Sequence, residues 1–432
     1  MAKIGLSKND LSSASDEMFS DIGSKARNPL LNREPEFPSV THLVDPLVNL
    51  YYSGLLGSVH ACLAVVGSMA LKGRTKPLSL ILETPSGYGK TAVVQMFFPS
   101  TDSGVEDFIY RSDKFSPKSF VSHAANLKRH QLADVDLLPK LENKVLITKE
   151  LAPLFRGRED EMQDNFSMLI SVLDGKGFTS DTGMHGQRGY QRNIVFNWIG
   201  ATTPLPMKVH HMMSQLGTRL LFYEVPANPP TEDELVGYAL AEQASSAEVD
   251  CQCAVELFLS EFFRARPVGS VPPSSIRLTE PQQREIARWA QFLVAARAEI
   301  VSEKNGSNWT PVAAMRPEGP WKVVTYFQDL ARGHAVICDR DYVDASDLSI
   351  IADVAISSIP GHLRPLVRAL RRGSVNTGEA ERLCGVTAPT ARNYITQLSL
   401  LRIVKLAAGA PKTNKPDTIT LLDLYNWMKV GP

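Results

Sequence analysis

A glycine-rich loop that ends in a lysine and a threonine carries the clearest chemistry of this sequence. Leu78–Phe97 reads LSLILETPSGYGKTAVVQMF, in which an apolar run precedes the loop and a helical pattern follows it. Backbone N–H groups of such a loop can surround a phosphate, the lysine can reach the β and γ phosphates, and the threonine hydroxyl can bind Mg²⁺. The sequence therefore predicts ATP and Mg²⁺ as cofactors, held by Thr84, Ser86, Gly87, Gly89, Lys90 and Thr91, with Thr91 on the metal.

A second apolar run ends in the acid that ATP hydrolysis needs, but a lysine precedes that acid. In VLITKE, Glu150 would orient and polarise the attacking water. Lys149 stands where such a motif usually has a metal-side aspartate. An ammonium about 5 Å from Mg²⁺ would be repelled by roughly 6–7 kcal/mol at a dielectric of about 20, so this side chain must point away. Loss of an outer-shell carboxylate weakens metal binding or activity about 10- to 100-fold. We therefore expect a slow ATPase, and a nucleotide-binding switch is the alternative.

The segments that must position these residues follow an alternating pattern. Between residues 44 and 225, helical patterns alternate with short apolar runs, which is typical of a mostly parallel sheet with helices on both faces. The apolar runs are Leu78–Leu82, Val145–Thr148, Ile194–Gly200 and Leu220–Val225. Three helix-like runs follow, at Thr279–Val301, Trp321–Cys338 and Ala345–Ile359. The predicted fold class is α/β.

The order of these motifs over residues 45–360 resembles the AAA+ ATPase superfamily. TPSGYGKT looks like its Walker A loop and VLITKE like its Walker B strand. IGATTP at 199–204 is similar to the sensor-1 strand of RuvB, a Holliday-junction motor, and 318–351 looks like the helical lid of MCM-type and MoxR-type members. The first glycine of the Walker A pattern is Thr84 here. The resemblance implies a P-loop three-layer αβα core with a helical lid, nucleotide contacts from Thr202 or Thr203 and from Lys322 (less strongly Arg316), and catalysis by Lys90, Glu150 and Arg219.

Two further implications of the resemblance concern partners. Arg219, in LGTRLLFYEV, looks like an arginine finger, which acts on the nucleotide of a neighbouring subunit, so we expect a homo-oligomeric ring, with a hexamer favoured. MCM-like members also insert a hairpin into the central channel just before the sensor-1 strand. Residues 173–193 fall there, and Arg188 and Arg192 flank Tyr190, which suits a nucleic-acid backbone and a stacked base. An ordinary solvated hairpin is the alternative.

The C-terminal segment differs from the rest of the chain in charge. Lys and Arg match Asp and Glu at 46 each, yet residues 361–432 hold eleven basic and four acidic residues, so this tail is +7. Its pattern of two short helices and two strands resembles a winged helix over residues 362–428. We expect Thr377 to cap the first helix and Thr387 the second. The resemblance implies DNA binding through the second helix and the wing, with protein contacts as the alternative. The residues concerned are Thr390, Arg392, Asn393, Lys412 and Lys415.

Cysteine content and charge distribution indicate the cellular compartment and whether the chain enters a membrane. Five cysteines in no metal-binding spacing predict free, mostly buried thiols in a reducing compartment, so we expect a cytoplasmic protein. The segment between Asp45 and Lys72 has no charge and is long enough to span a bilayer, but its polar residues favour a buried helix, and no membrane partner is expected.

The predicted domains are an N-terminal arm (1–43), an AAA+ core (44–230), a helical segment and lid (231–360) and a winged helix (361–432).

These predictions converge on a DNA-binding AAA+ ATPase. The favoured function is a ring-forming helicase or translocase in DNA replication, recombination or mobile-element maintenance. One alternative is an ATP-switched DNA-binding loader or scaffold that hydrolyses little, which Lys149 favours. Another is a transcriptional regulator whose ATPase remodels a protein target.

Overall fold

The chain forms two compact units in its computed structural model. The larger unit comprises described residues of 35–299 and 315–361, and the smaller unit comprises those of 300–314 and 362–432. The structure describes residues 54–100, 104–122, 131–155, 158–182, 186–206, 209, 217–240, 244–305, 308–407 and 417–430. The predicted N-terminal arm, the first residues of the predicted core, and Lys412 and Lys415 therefore lie outside the described residues.

A parallel five-stranded sheet forms the centre of the larger unit. The strands of this unit are β1 (Leu78–Glu83), β2 (Ile109–Arg111), β3 (Val145–Thr148), β4 (Phe178–Thr182), β5 (Gly186–Tyr190), β6 (Asn197–Thr202) and β7 (Leu221–Glu224). The sheet order is β2-β3-β6-β1-β7, with every pairing parallel. Every residue of β1, β3 and β6 is buried, as expected of parallel strands covered on both faces.

Helices cover both faces of this sheet. The helices of the larger unit are α1 (Leu55–Gly67), α2 (Lys90–Gln95), α3 (Leu132–Val135), α4 (Leu137–Lys140), α5 (Glu159–Leu173), α6 (Glu232–Leu240), α7 (Ala244–Ala265), α8 (Glu280–Ala296), α9 (Trp321–Ile337) and α10 (Ala345–Ser357). Adjacent residues of a strand point to opposite faces. Phe222 joins the hydrophobic core that includes Phe166 of α5, whereas the Tyr223 hydroxyl lies against Gly57 of α1. The predicted α/β architecture with helices on both faces is confirmed.

Helix α1 explains the uncharged segment of the sequence. All but two of its thirteen residues are buried, because the helix lies between the sheet and α9. The two helices approach closely at a pair of glycines: a Cβ added to Gly333 would lie 2.3 Å from the Ala64 carbonyl oxygen. Among the described helices, none has the length and apolarity needed to cross a membrane.

The smaller unit combines an antiparallel hairpin with three helices and a three-stranded sheet. The hairpin strands β8 (Ile300–Asn305) and β9 (Asn308–Ala314) interrupt the segment that the sequence predicts to be helical. The remaining elements are α11 (Arg364–Leu370), β10 (Val375–Asn376), α12 (Thr377–Cys384), α13 (Ala388–Leu400), β11 (Val404–Ala407) and β12 (Thr418–Leu421). The sheet order is β10-β12-β11, and both pairings are antiparallel.

The sequence predicted where α12 and α13 begin, but one of the two predicted cap residues was wrong. The cap of α12 is Asn376 and not Thr377, because the Asn376 side chain accepts a hydrogen bond from the Glu379 N–H in a capping box. Gly385 ends α12 in the left-handed conformation, as the predicted turn requires. Thr387 precedes α13 as predicted, although its hydroxyl makes no capping hydrogen bond.

Candidate functional site

The loop after β1 has the backbone that close approach to an anion requires. Gly87 and Gly89 have φ of 91° and 71°, in the left-handed region that favours glycine. A Cβ at Gly89 would also lie 3.0 Å from Leu55 Cδ1, so α1 supports the loop from beneath. The loop is tied to the sheet at its start, where the buried Thr84 donates its N–H to the Thr202 carbonyl at 3.3 Å. Ser86 and Thr91 are exposed beside it.

Lys90 is the most unusual side chain of the loop. Only 5% of its surface is exposed, and among the residues that the structure describes no acceptor lies within hydrogen-bonding distance of its ammonium. Burial lowers the Lys90 pKa, and the nearby Glu150 carboxylate opposes that shift. A lysine side chain that is largely buried and has no hydrogen-bond acceptor at its ammonium is stabilised when an anion binds there. The position is therefore suited to binding an anionic ligand.

Two neighbouring strands bring the other predicted nucleotide contacts to the same edge of the sheet. Glu150 follows β3 and is fixed there, because the Leu151 N–H donates to the Ala201 carbonyl of β6 and the Glu150 carboxylate accepts from the Ala152 N–H, both at 2.8 Å. Thr202 ends β6 and donates its hydroxyl hydrogen to the Thr203 carbonyl at 3.0 Å. The carboxyl ends of β1, β3 and β6 therefore gather the loop, an acid and a threonine pair, as ligand sites in parallel sheets do.

Lys149 has interaction partners of its own at this edge. Its ammonium lies 3.9 Å from an Asp113 carboxylate oxygen and 5.0 Å from the centre of the Phe98 ring. Arg111 lies over the same ring at 4.3 Å and makes a bidentate pair with Asp113. The pKa of Asp113 is lowered, chiefly by its hydrogen bond to Arg111, so it remains a carboxylate facing Lys149. The lysine charge is thus balanced at the end of β2.

Arg219 and Lys322 both form ion pairs with the carboxylate of Asp174. Asp174, directly after α5, accepts from Arg219 Nε and Nη2 at 3.2 and 3.1 Å and from Lys322 Nζ at 2.8 Å. Burial opposes ionisation of Asp174, but these cations outweigh it and lower its pKa. Gly175 lies against Thr75, before β1 begins, so this cluster stands at the amino ends of the strands. A six-residue strand is about 20 Å long, so the structure does not bring Arg219 or Lys322 to the Lys90 loop of the same chain.

The hairpin predicted within residues 173–193 is present as the antiparallel strands β4 and β5. Arg192 makes an ion pair with Glu142, and the Tyr190 hydroxyl donates to Asp136 at 2.8 Å. Burial and the Asp136 carboxylate raise the Tyr190 pKa. The Tyr190 hydroxyl is therefore already hydrogen-bonded to Asp136, which lies between α3 and α4. Arg188 on β5 is half-buried.

The residues predicted to read DNA begin helix α13. Arg392 is exposed, and Thr390 is half-buried with its hydroxyl 3.3 Å from that of Thr387. Asn393 donates its side-chain amide to the Trp309 carbonyl of β9 at 3.4 Å. The hairpin of the smaller unit thus lies against one side of this helix, a contact that no sequence pattern predicts.

Several residues of the site were not predicted from the sequence. Glu83 ends β1 and is buried beside the loop, where its carboxylate accepts from the Leu205 N–H at 2.8 Å. A charged residue at the end of an otherwise apolar strand was the available signal. Asp113 and Asp174 had no such signal, because Asp113 faces Lys149, and Asp174 faces Arg219 and Lys322, only in the folded chain.

Comparison with known proteins adds little to this geometry. No family model matches the chain, and no curated protein matches its sequence. Among 153 matching chains of solved structures is the crystal structure of a protein from Cytophaga hutchinsonii described as a "putative ATPase". It is 12% identical, the match covers 81% of this chain and 90% of that one, and the TM-score is 0.35. A similarity this low does not show what the site of this chain binds.

Proposed function

We propose that this protein binds ATP with Mg²⁺ as a P-loop nucleotide-binding protein of the AAA+ type. The observation that carries the proposal is the largely buried Lys90 side chain, whose ammonium has no acceptor among the described residues and which follows two glycines of positive φ. The residues fit the cofactor: the loop amides and Lys90 would hold the triphosphate, and the exposed Thr91 hydroxyl would bind the metal. Mg²⁺ bound there would neutralise charge on the phosphates.

We further propose that the chain hydrolyses ATP slowly. Glu150 is the acid fixed at the same edge as Lys90, and it would hold and polarise the attacking water. The position before it supplies no metal-side carboxylate, since Lys149 is balanced by Asp113. The test replaces Glu150 by Gln, with the exposed Glu159→Gln as the matched control. Turnover should fall about 100-fold or more in the first variant only, while ATP affinity stays constant in both. Equal turnover in both variants would remove Glu150 from the mechanism.

We propose that identical chains assemble into a closed ring, and the position of two cations supports this proposal. Arg219 and Lys322 lie at the amino ends of the strands, so they can complete only a nucleotide site that another chain presents. Arg219→Ala and Glu150→Gln chains would each be inactive alone. In an equimolar mixture about a quarter of the interfaces would join an intact Glu150 to an intact Arg219, so turnover should reappear. Absence of complementation in mixed assemblies would refute action between chains, and the particle size would test the predicted hexamer.

DNA is the proposed partner of the smaller unit, which we interpret as a winged helix. The order of three helices and three strands supports that interpretation, as does the +7 charge of residues 361–432. The exposed Arg392 near the start of α13 is suited to a phosphate or a base edge. The full chain should bind duplex DNA at low salt and lose affinity steeply as salt rises, and Arg392→Ala should weaken binding relative to the control Arg284→Ala on α8. Salt-independent binding would favour the protein-contact alternative.

A helicase or translocase in the cytoplasm is the favoured form of this function. DNA-stimulated turnover together with strand separation would support it. Binding of DNA that responds to ATP without strand separation would instead support the loader or scaffold, which the absence of a metal-side carboxylate at Lys149 favours. A reporter gene that responds to the protein through an ATPase-dependent protein target would support the transcriptional regulator.

A further inference from the structure

Three side chains that commonly bind transition metals meet in the interior of the larger unit. His60 belongs to α1, His334 lies in the last turn of α9, and Cys338 directly follows that helix four residues later, so His334 and Cys338 project from the same side. Their exposed fractions are 0%, 1% and 6%. One potential ligand atom from each lies within 4.8 Å of the other two.

Two of the three separations can be compared with those of ligands around one tetrahedral metal ion. Zinc–nitrogen and zinc–sulfur bonds of about 2.0 and 2.3 Å place two nitrogens about 3.3 Å apart and a nitrogen and a sulfur about 3.5 Å apart. His334 Nε2 and Cys338 Sγ are 3.5 Å apart. His60 Nδ1 and His334 Nε2 are 2.9 Å apart, a hydrogen-bond length that a metal would widen by a few tenths of an ångström.

A buried carboxylate orients the central histidine of this cluster. The other ring nitrogen of His334, Nδ1, donates to Asp347 at 2.5 Å, which leaves Nε2 directed at the cluster. Asp347 is fixed in turn by both terminal nitrogens of Arg340, at 2.8 and 2.7 Å, and by the Asp344 N–H. A carboxylate behind a histidine is the usual arrangement around protein-bound zinc, where it sets the tautomer and raises ligand basicity.

We propose that His60, His334 and Cys338 bind one zinc ion between α1 and the end of α9. Two imidazoles and a thiolate suit zinc or a similar borderline-soft divalent ion, whereas Mg²⁺ and Ca²⁺ prefer oxygen ligands. Three protein ligands leave the fourth tetrahedral position to water. Zinc binds the neutral imidazole and the thiolate, so binding at this cluster would release protons.

The same atoms do not suit nucleophilic catalysis. Cys338, His334 and Asp347 have the order of a thiol, a base and an orienting acid. A nucleophile must reach a substrate, however, and all three side chains are almost completely excluded from solvent. His60 Nδ1 also contacts the nitrogen that would act as the base. Binding of a small ion is the chemistry that this enclosed space allows.

The experiment measures metal in the full chain purified without added metal or nucleotide. Elemental analysis should find about one zinc per chain. The cobalt-substituted protein should show visible ligand-field bands and a near-ultraviolet thiolate-to-cobalt band. Cys338→Ser should lose the thiolate band, whereas the exposed Cys253→Ser should retain it. Lys90→Met should retain the zinc, which separates this site from the nucleotide site.

Two results would overturn the proposal. One is wild-type protein that is purified with less than about a tenth of an equivalent of transition metal and gives no cobalt spectrum after exposure to the ion. The other is a thiolate-to-cobalt band that survives Cys338→Ser in a variant whose circular dichroism matches wild type. Because the first result uses unaltered protein, it does not depend on whether a variant folds. Neither result bears on ATP binding.

Discussion

Replacing Lys90 by methionine should change stability and ATP binding in opposite directions. Lys90 is 5% exposed as a whole residue, its ammonium has no hydrogen-bond acceptor among the described residues, and burial lowers its pKa despite Glu150 nearby. Methionine has a similar helix propensity and an unbranched apolar side chain. Removing a buried charge in favour of an apolar group is often neutral or stabilising by about 1–4 kcal/mol. We expect the nucleotide-free variant to unfold with a free energy about 1 kcal/mol higher than wild type.

The cost of the same substitution appears when ATP is present. A hydrogen bond to a charged group contributes about 1.5–3 kcal/mol, so loss of the Lys90–phosphate contact should raise the Kd for ATP about 10- to 150-fold. ATP at a hundredfold excess over the wild-type Kd stabilises wild type by about 2.7 kcal/mol. The order of the two stabilities should therefore reverse between nucleotide-free and ATP-saturated samples.

Urea unfolding with and without Mg-ATP, together with isothermal titration of ATP, measures both effects. The exposed Lys72→Met is the control, and it should change neither quantity. If Lys90→Met destabilises the nucleotide-free protein while ATP affinity is unchanged, Lys90 is a structural residue and the anion site argued from its burial does not exist.

Three further substitutions test how the site is supported. Gly333→Ala should destabilise the protein by about 1–3 kcal/mol, because its Cβ would lie 2.3 Å from a backbone carbonyl of α1, whereas Gly237→Ala on α6 has open space and should be neutral or stabilising in thermal unfolding. Glu83→Ala should cost about 1–3 kcal/mol by leaving the buried Leu205 N–H unsatisfied, and Glu83→Gln should restore most of that loss in the same assay. Asp174 has a lowered pKa in the folded state, so its contribution to stability is present above about pH 4 and is lost as the pH falls through the folded pKa. Asp174→Asn should flatten the acid limb of stability measured by denaturant unfolding, and an unchanged limb would show that its two cations do not lower its pKa.

The sequence predicted those parts of the fold that depend on contiguous residues. The runs 78–82, 145–148, 194–200 and 220–225 became strands because each is apolar and short. The phosphate loop was predictable too, because its glycines, lysine and threonine are consecutive. The three-residue β2 and the β8–β9 hairpin were not predicted, since the first is too short for a periodic signal and the second alternates exposed residues of mixed polarity.

Contacts between distant residues could not be predicted from the pattern. Lys149 was expected to point away from the metal. The aspartate that faces it, Asp113, was not predicted, because it follows the short strand β2, which was not predicted either. Arg219 and Lys322 were assigned separate roles, and only the folded chain brings both to Asp174. Asp113 is 36 residues from Lys149, and Asp174 is farther still from Arg219 and Lys322. Helix and strand periods relate only residues that are near in sequence, so they could not predict these pairs.

Helix α1 shows how one segment can serve several sites because of its small residues. Its first residue, Leu55, supports the phosphate loop at Gly89, and a Cβ at Gly57 would overlap the Tyr223 hydroxyl of β7. Near its other end the contact with Gly333 brings the backbones of α1 and α9 together, which lets His60 reach His334. A larger residue at either glycine of α1 would separate the helix from the sheet or from α9. The absence of charge between Asp45 and Lys72 thus reflects, over Leu55–Gly67, burial on nearly every side by the protein itself.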